Sequence, residues 1–420
     1  MWAAMSFCRL LSVLVTLVAC FVATNHAAEE ANISKRTVSI PLRHNVDSVR
    51  NPHWEHYRTL RKHNIPIPGR LQEIVRETSP HKFVSNNAHG GDLLWLAPVQ
   101  IGTPPQTLYL DLDTGSTDTW VFSTDTDKRN VNGQDLYHPA KSTTAELIDD
   151  CTWSIMYGDF STSSGICYRD TFAFGDIKIE GMTIESAMHA SYMFTETAAM
   201  SGLVGLAWSS LAQMVPKQPC LIDFLPRMMA EPLFTVDFVH NGTGSFNFGF
   251  IDKNLYKDEI KYVDVDTKDG FWTVDYHGFR IAGDSIKYEF AKPKPVIVDT
   301  GSTLLFAPEA AVKKYYDLVQ GGKFSNKEYA YTIPCDTTPP DYIVELSDAH
   351  GNKVETTIPG EYVIYAHLSD NECFGGIQSL GSFTDLQGIL GDMYLKSGFA
   401  VFDIGEKKFG MAPKPLDTDS

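Results

Sequence analysis

Two identical pentapeptides, Asp113-Thr114-Gly115-Ser116-Thr117 and Asp299-Thr300-Gly301-Ser302-Thr303, constrain this chain more than any other feature. Each follows an apolar run, Leu108-Tyr109-Leu110 in one case and Pro295-Val296-Ile297-Val298 in the other. Each is followed by two apolar residues and a glycine, Leu203-Val204-Gly205 and Ile389-Leu390-Gly391, with the glycine 92 residues beyond its Asp both times. A single Asp-Thr-Gly is explained well enough by a polar turn. Two copies in matched contexts predict a duplicated architecture in which each half supplies one Asp loop.

The texture around the repeats indicates what is duplicated. From about Gly90 onward, short runs rich in β-branched and aromatic residues are broken by Gly, Pro, Asn and Asp, the pattern of an all-β protein with many hairpins. Thr107-Leu108-Tyr109-Leu110-Asp111-Leu112, Phe234-Thr235-Val236-Asp237-Phe238 and Phe399-Ala400-Val401-Phe402 are examples. Helices are predicted over residues 221–229 and 308–319, the latter opening with Pro308 and Glu309 as helix starts often do. With 420 residues, 43% hydrophobic and 21% charged, the chain suits a globular protein of two lobes with processing segments.

Those segments lie first. Arg9 precedes an apolar run of 14 residues, 10–23, that gives way to small and polar residues, which predicts a signal peptide over 1–28 rather than a membrane anchor. Residues 29–88 carry ten Lys and Arg against six Asp and Glu, a net +4, with His44, His53, His56, His63 and His81. Helix-compatible spacing recurs there in Trp54-Glu55-His56-Tyr57-Arg58-Thr59-Leu60 and Leu71-Gln72-Glu73-Ile74-Val75, so the stretch is predicted to be a basic prosegment. Residues 89–420 carry −22 of the overall −17, a polyanion that does not seek nucleic acid. They divide into an expected lobe with Asp113 over 89–255 and one with Asp299 over 256–420.

Five cysteines remain beyond the signal, so they cannot all pair. Closing the 38-residue separation of Cys335 and Cys373 is worth about 4 kcal/mol in the loop-entropy model. Cys151 and Cys167 are equidistant from Asp159, and a hairpin turning there would oppose them within disulfide range. Cys220 then stays free.

Hydrolysing an amide without metal or covalent intermediate needs a base to activate water and an acid to protonate the carbonyl oxygen or departing nitrogen. Two carboxylates supply both only if one keeps its proton, and carboxyls in contact cannot both ionise cheaply, so the pair shares one. Gly115 and Gly301 permit turns that bring backbone N–H groups to Asp113 and Asp299, while Ser116 and Ser302 add hydroxyl donors.

Further motifs follow in order: Ile101-Gly102-Thr103-Pro104-Pro105-Gln106, Tyr157-Gly158-Asp159, Gly202-Leu203-Val204-Gly205-Leu206-Ala207, Ile389-Leu390-Gly391-Asp392 and Phe402-Asp403. With them the chain resembles the pepsin family of aspartic endopeptidases, its secreted fungal members above all, over residues 92–413. The resemblance implies a mainly β, bilobal acid-protease fold with a long cleft that takes an extended peptide, catalytic Asp113 and Asp299 at its floor, and no metal or cofactor. It also implies that Thr114 and Thr300 brace the two loops, that Tyr157, Gly158 and Asp159 form a flap, and that Asp159 accepts a basic side chain just before the cut. Phe160 departs from the small residue usual beside it.

Val38-Ser39-Ile40-Pro41-Leu42 resembles the opening strand of the family's prosegments, which implies an intramolecular inhibitor. Lys82 is the candidate for the prosegment lysine that reaches the dyad, a solvated surface lysine being the alternative. Protonation of prosegment His and mature-domain carboxylates predicts self-activation at low pH. The expected product is a secreted, monomeric endopeptidase, glycosylated at the Asn241-Gly242-Thr243 sequon. A catalytically inactive binding or inhibitor protein on the same scaffold, or a vacuolar protease, are the alternatives.

Overall fold

The computed structural model describes residues 35–44, 51–78, 95–156, 162–195, 197–240, 242–381 and 386–416. Strands dominate, and they are arranged twice in one pattern. In the first half Gln106–Asp113 runs parallel to Gly202–Gly205, which pairs antiparallel with Thr119–Phe122. In the second half Lys287–Val298 runs parallel to Gly388–Leu390, which pairs antiparallel with Leu305–Ala307. Both Asp residues therefore stand where an apolar strand ends, and both matched glycines end or follow the strand beside it. The first triplet belongs to an eight-stranded sheet and the second to a seven-stranded one. This is the bilobal β-fold of pepsin-like acid proteases, with a few short helices.

A six-stranded sheet, Val38–Pro41, Ser245–Phe248, Leu233–Asp237, Phe399–Asp403, Lys408–Ala412 and Lys261–Asp264, draws strands from distant parts of the chain. Its core is aromatic: Phe234 stacks on Phe402 at 4.8 Å, and buried Trp272 meets both rings edge-on. The Trp272 indole donates to the Leu206 carbonyl at 3.0 Å, so this core also holds the loop that follows Gly205. Filling such a site with apolar surface is worth about 2–3 kcal/mol per large side chain.

The predicted helices at 221–229 and 308–319 appear as Leu221–Met228 and Glu309–Leu318. Both disulfides form, Cys151–Cys167 with Cα atoms 5.5 Å apart and Cys335–Cys373 with 5.1 Å, leaving Cys220 free and buried. Burial pushes the Cys220 thiol up to about 12. No helix among the described residues is long and apolar enough to cross a membrane.

The basic segment is folded onto this body. Its strand Val38–Pro41 pairs antiparallel with Ser245–Phe248 at the edge of the six-stranded sheet. Helix α1, Pro52–Lys62, starts because the Asn51 side chain accepts the His53 N–H and Pro52 fills the first turn. Glu55 in its first turn and Arg61 and Lys62 in its last suit the helix dipole. Helix α2, Gly69–Glu77, follows. Tyr57, Leu60, Ile65, Leu71 and Val75 pack on Leu304, Phe306, Ala330, Ala366, Phe374, Leu380 and Ile389 of the second half.

Candidate active site

The two Asp loops meet in the interior. Gly115 N–H and Gly301 N–H each donate to the carboxylate two residues back, at 2.8 and 2.9 Å. Ser116 Oγ and Ser302 Oγ donate to the other oxygens of Asp113 and Asp299, both at 2.5 Å. The loops are tied to one another: Thr114 N–H donates to Thr300 Oγ1 at 2.9 Å and Thr300 N–H to Thr114 Oγ1 at 3.0 Å. Each threonine hydroxyl in turn donates across the junction, Thr114 to the Val298 carbonyl and Thr300 to the Leu112 carbonyl. Eight hydrogen bonds thus satisfy these groups in a two-fold arrangement, as buried polar groups require.

The glycines report how close the halves come. A Cβ on Gly115 would stand 2.3 Å from Asp299 Oδ1, and one on Gly301 would stand 2.4 Å from Asp113 Oδ1. Each loop therefore has its facing carboxylate where a side chain would begin, and only glycine fits.

A third group lies between the carboxylates. Lys62, the last residue of α1, places Nζ 2.8 Å from Asp113 Oδ1 and 2.9 Å from Asp299 Oδ1. His63 follows, with Nε2 3.1 Å from Asp299 Oδ2 and its ring edge-on to Phe271. Among the described residues the lysine that reaches the dyad is Lys62; the candidate Lys82 lies outside the described residues. The physical reason is reach: the apolar face of α1 docks on the second half and carries its C-terminal lysine to the floor of the site.

Electrostatics follow from this crowding. Asp113 and Asp299 are 1% and 0% exposed. Burial and the neighbouring Asp299 charge hold Asp113 above the usual carboxylate range, against the pull of Lys62. For Asp299 burial acts in the same direction, but Lys62 and His63 outweigh it and hold the carboxyl well below that range. Burial would lower Lys62, and the two carboxylates raise it instead. One carboxyl that favours its proton sits beside one that favours its charge, both aimed at one cation-sized point.

Other expected site residues fall elsewhere. Tyr157, Gly158 and Asp159 lie outside the described residues, between the paired strands Glu146–Met156 and Thr162–Phe174. Asn241 also lies outside them. Groups that the sequence reading missed cluster along α1. His53 Nε2 is 3.1 Å from Glu328 Oε2, Glu55 Oε2 accepts from Thr303 Oγ1 at 3.0 Å, and His56 is sealed against Phe306. Their signal was the His-rich composition of a helix-compatible stretch, which says nothing of what faces it.

Residues 94–414 match the family model described as eukaryotic aspartyl protease. Endothiapepsin of Cryphonectria parasitica is 38% identical over 86% of this chain and 88% of its own length. Podosporapepsin of Podospora anserina is 37% identical over 87% and 88%. A protein named aspartic endopeptidase PEP1, from Trichophyton verrucosum, is 32% identical over 92% and 94%. The chain belongs to the eukaryotic aspartyl protease family and is an aspartic-type endopeptidase.

Proposed function

We propose that the chain is made as a secreted zymogen that, once its basic segment has left, hydrolyses peptide bonds at acidic pH with a water held between Asp113 and Asp299. The observation that carries the reading is Lys62 Nζ within 2.9 Å of both carboxylates. A point that one ammonium can share between two carboxyls is a point that one water can share. When Lys62 leaves, the charge it neutralised must be made up, and a single proton retained by the pair does so. The ionised carboxyl then takes a proton from the water as it attacks the peptide carbonyl, and the protonated one donates to the oxygen on which charge develops. The roles reverse when the departing nitrogen is protonated.

Residues 29–88 act in this reading as the intramolecular inhibitor, and residues 1–28 as the export signal. Residues 89–255 and 256–420 are the two lobes. Tyr157, Gly158 and Asp159 form the flap, Asn241 carries a glycan, and the active form is a monomer. Two disulfides suit an oxidising destination outside the cell.

The test compares the acid-incubated wild-type chain with Asp113→Asn and Asp299→Asn on denatured casein or haemoglobin. Hydrolysis that a statine-type transition-state mimic stops is expected for the wild type, with a loss of about 10³-fold or more in each variant. Circular dichroism and melting should stay near wild type. A variant that keeps tenth-scale activity, or a wild type that binds the mimic and cuts nothing, would overturn the reading; the second result would favour an inactive binding scaffold.

A further inference from the structure

One contact of the basic segment with the second half is explained by neither the dyad nor the apolar bed of the segment. It lies at Lys327 and Glu328 in the four-residue turn 326–329, between the strands Lys323–Ser325 and Ala330–Pro334. Two basic side chains from different helices converge on it. From α1, His53 sets Nε2 3.1 Å from Glu328 Oε2, while its other ring nitrogen lies 3.2 Å from Asn51 Oδ1. From α2, Arg70 donates twice to the Lys327 carbonyl, from Nε at 3.2 Å and Nη2 at 3.1 Å. The His53 ring is 4% exposed and also stands edge-on to Phe374 at 5.5 Å. A basic ring is therefore already seated between a carboxylate and an aromatic face.

We propose that Glu328 and Phe374 form a subsite for a basic side chain of the peptide substrate, about four residues from the bond that is cut. The proposal rests on the endopeptidase reading above and adds a specificity determinant to it. Its geometry comes from α1, which begins at Glu328 and ends at the dyad. Between those ends the helix touches Thr303, Phe306 and Phe374 in a continuous wall. From His53 to Lys62 the helical rise is roughly 13 Å, which an extended peptide spans in about four residues. A peptide that reaches the dyad along this wall passes the Glu328 carboxylate.

Glu328 is equipped for that partner. Among the described residues its remaining cation is Lys327, whose Nζ lies 2.6 Å from the other oxygen, Oε1, with a side chain 82% exposed. Such a solvated pair contributes little and leaves Oε2 facing the wall. The His53 ring, ahead of burial and Lys327, brings the Glu328 carboxyl down to about 2, so a cation in this seat keeps its counter-charge in acid. A lysine or arginine delivers the same charge and stacks its stem or guanidinium on Phe374.

The experiment uses enzyme matured from the full chain, at pH 5, with a peptide that it cuts at one bond. Lysine is scanned against norleucine at each of six positions on either side of that bond. A matched set with the scissile amide reduced reports affinity without turnover. Wild-type enzyme is expected to prefer lysine about tenfold at one position about four residues out, chiefly in KM and in the affinity of the reduced peptides. In Glu328→Gln the ratio should fall to near one, Glu328→Asp should restore part of it, and Glu328→Lys should prefer glutamate there. A flat scan in wild type, or a lysine preference that persists in Glu328→Gln, overturns the subsite. Reduced peptides that bind with the preference while the cleavable set stays intact would instead overturn the catalytic reading and leave the subsite standing.

Discussion

At the scale of single residues, the site is built by what cannot be added to it. A methyl group on Gly301 would begin 2.4 Å from Asp113 Oδ1 and 2.6 Å from its Cγ, inside the distance any real Cβ reaches. The facing carboxylate must move, and with it the hydrogen bonds from Gly115 N–H and Ser116 Oγ that orient it. Gly301→Ala is therefore expected to lower kcat/KM by about 100-fold or more, since a displacement near 1 Å at reacting groups has that effect. Steady-state kinetics on a casein-derived peptide checks this, and activity within threefold of wild type would show that the loops tolerate separation. The carboxylates themselves were legible because the pentapeptide recurs with its apolar run before it and its glycine 92 residues after. Lys62 was not. Ten Lys and Arg crowd residues 29–88, and no local feature separates position 62 from position 82. What selects Lys62 is the docking of a helix on residues more than two hundred positions away, which no short motif records.

At the scale of elements, the seat of α1 depends on charge. His56 is buried between the helix and the second half, and it packs on Phe306. Burial first, and the nearby His53 second, push its pKa from 6.5 down to about 3, against a smaller opposing influence of the Ser379 backbone. The docked segment thus requires a neutral ring, while the released one takes up a proton readily. Docking help from His56 is complete above about pH 6.5 and fades as pH falls toward 3, by roughly tenfold in the equilibrium per pH unit. Asp299 and Glu328, both held low while the segment is docked, act in the same sense, because acid removes the charges that Lys62, His63 and His53 need. Asp113, held high, does not add to the effect. Replacing His56 by Leu keeps the volume apolar and removes the proton acceptor, so the full-length variant should process itself at a more acid midpoint, by at least half a pH unit. Gel analysis of processing between pH 3 and 6 decides it, and an unshifted midpoint would assign release to the carboxylates alone. The helix itself could be read from the spacing of Trp54, Tyr57 and Leu60, but its partners Phe306 and Ser379 could not, since they meet it only in the folded chain.

For the molecule as a whole, the same linkage sets a limit on the other side of the pH scale. Behind the Asp113 loop, Asp118 accepts from the Gln213 N–H at 2.8 Å, and its own backbone carbonyl accepts from Gly205 N–H. Glu185, on the strand Ile177–Ala190 that pairs with Thr119–Phe122, is 0% exposed. Burial first, and the Asp118 charge second, raise Glu185 well above its ordinary 4.5, while burial also raises Asp118. The folded chain therefore keeps a proton that the unfolded chain sheds, so this group stabilises the fold in acid. That contribution is lost as pH rises above about 4.5, by about 1.4 kcal/mol per pH unit until the buried carboxyl itself ionises. The −22 carried by residues 89–420 adds self-repulsion over the same range. The mature enzyme should therefore melt highest in mild acid and lose stability toward neutrality. Glu185→Gln tests whether the buried pair governs that loss, because an amide keeps the shape and can donate to an ionised Asp118. At pH 7.5 the variant is expected to melt roughly 5 °C above wild type, and at pH 4 within a degree or two of it. Parallel melting curves across that range would move the cause from this pair to the net surface charge, where raising the salt concentration, and not Glu185→Gln, would restore the neutral-pH melting temperature.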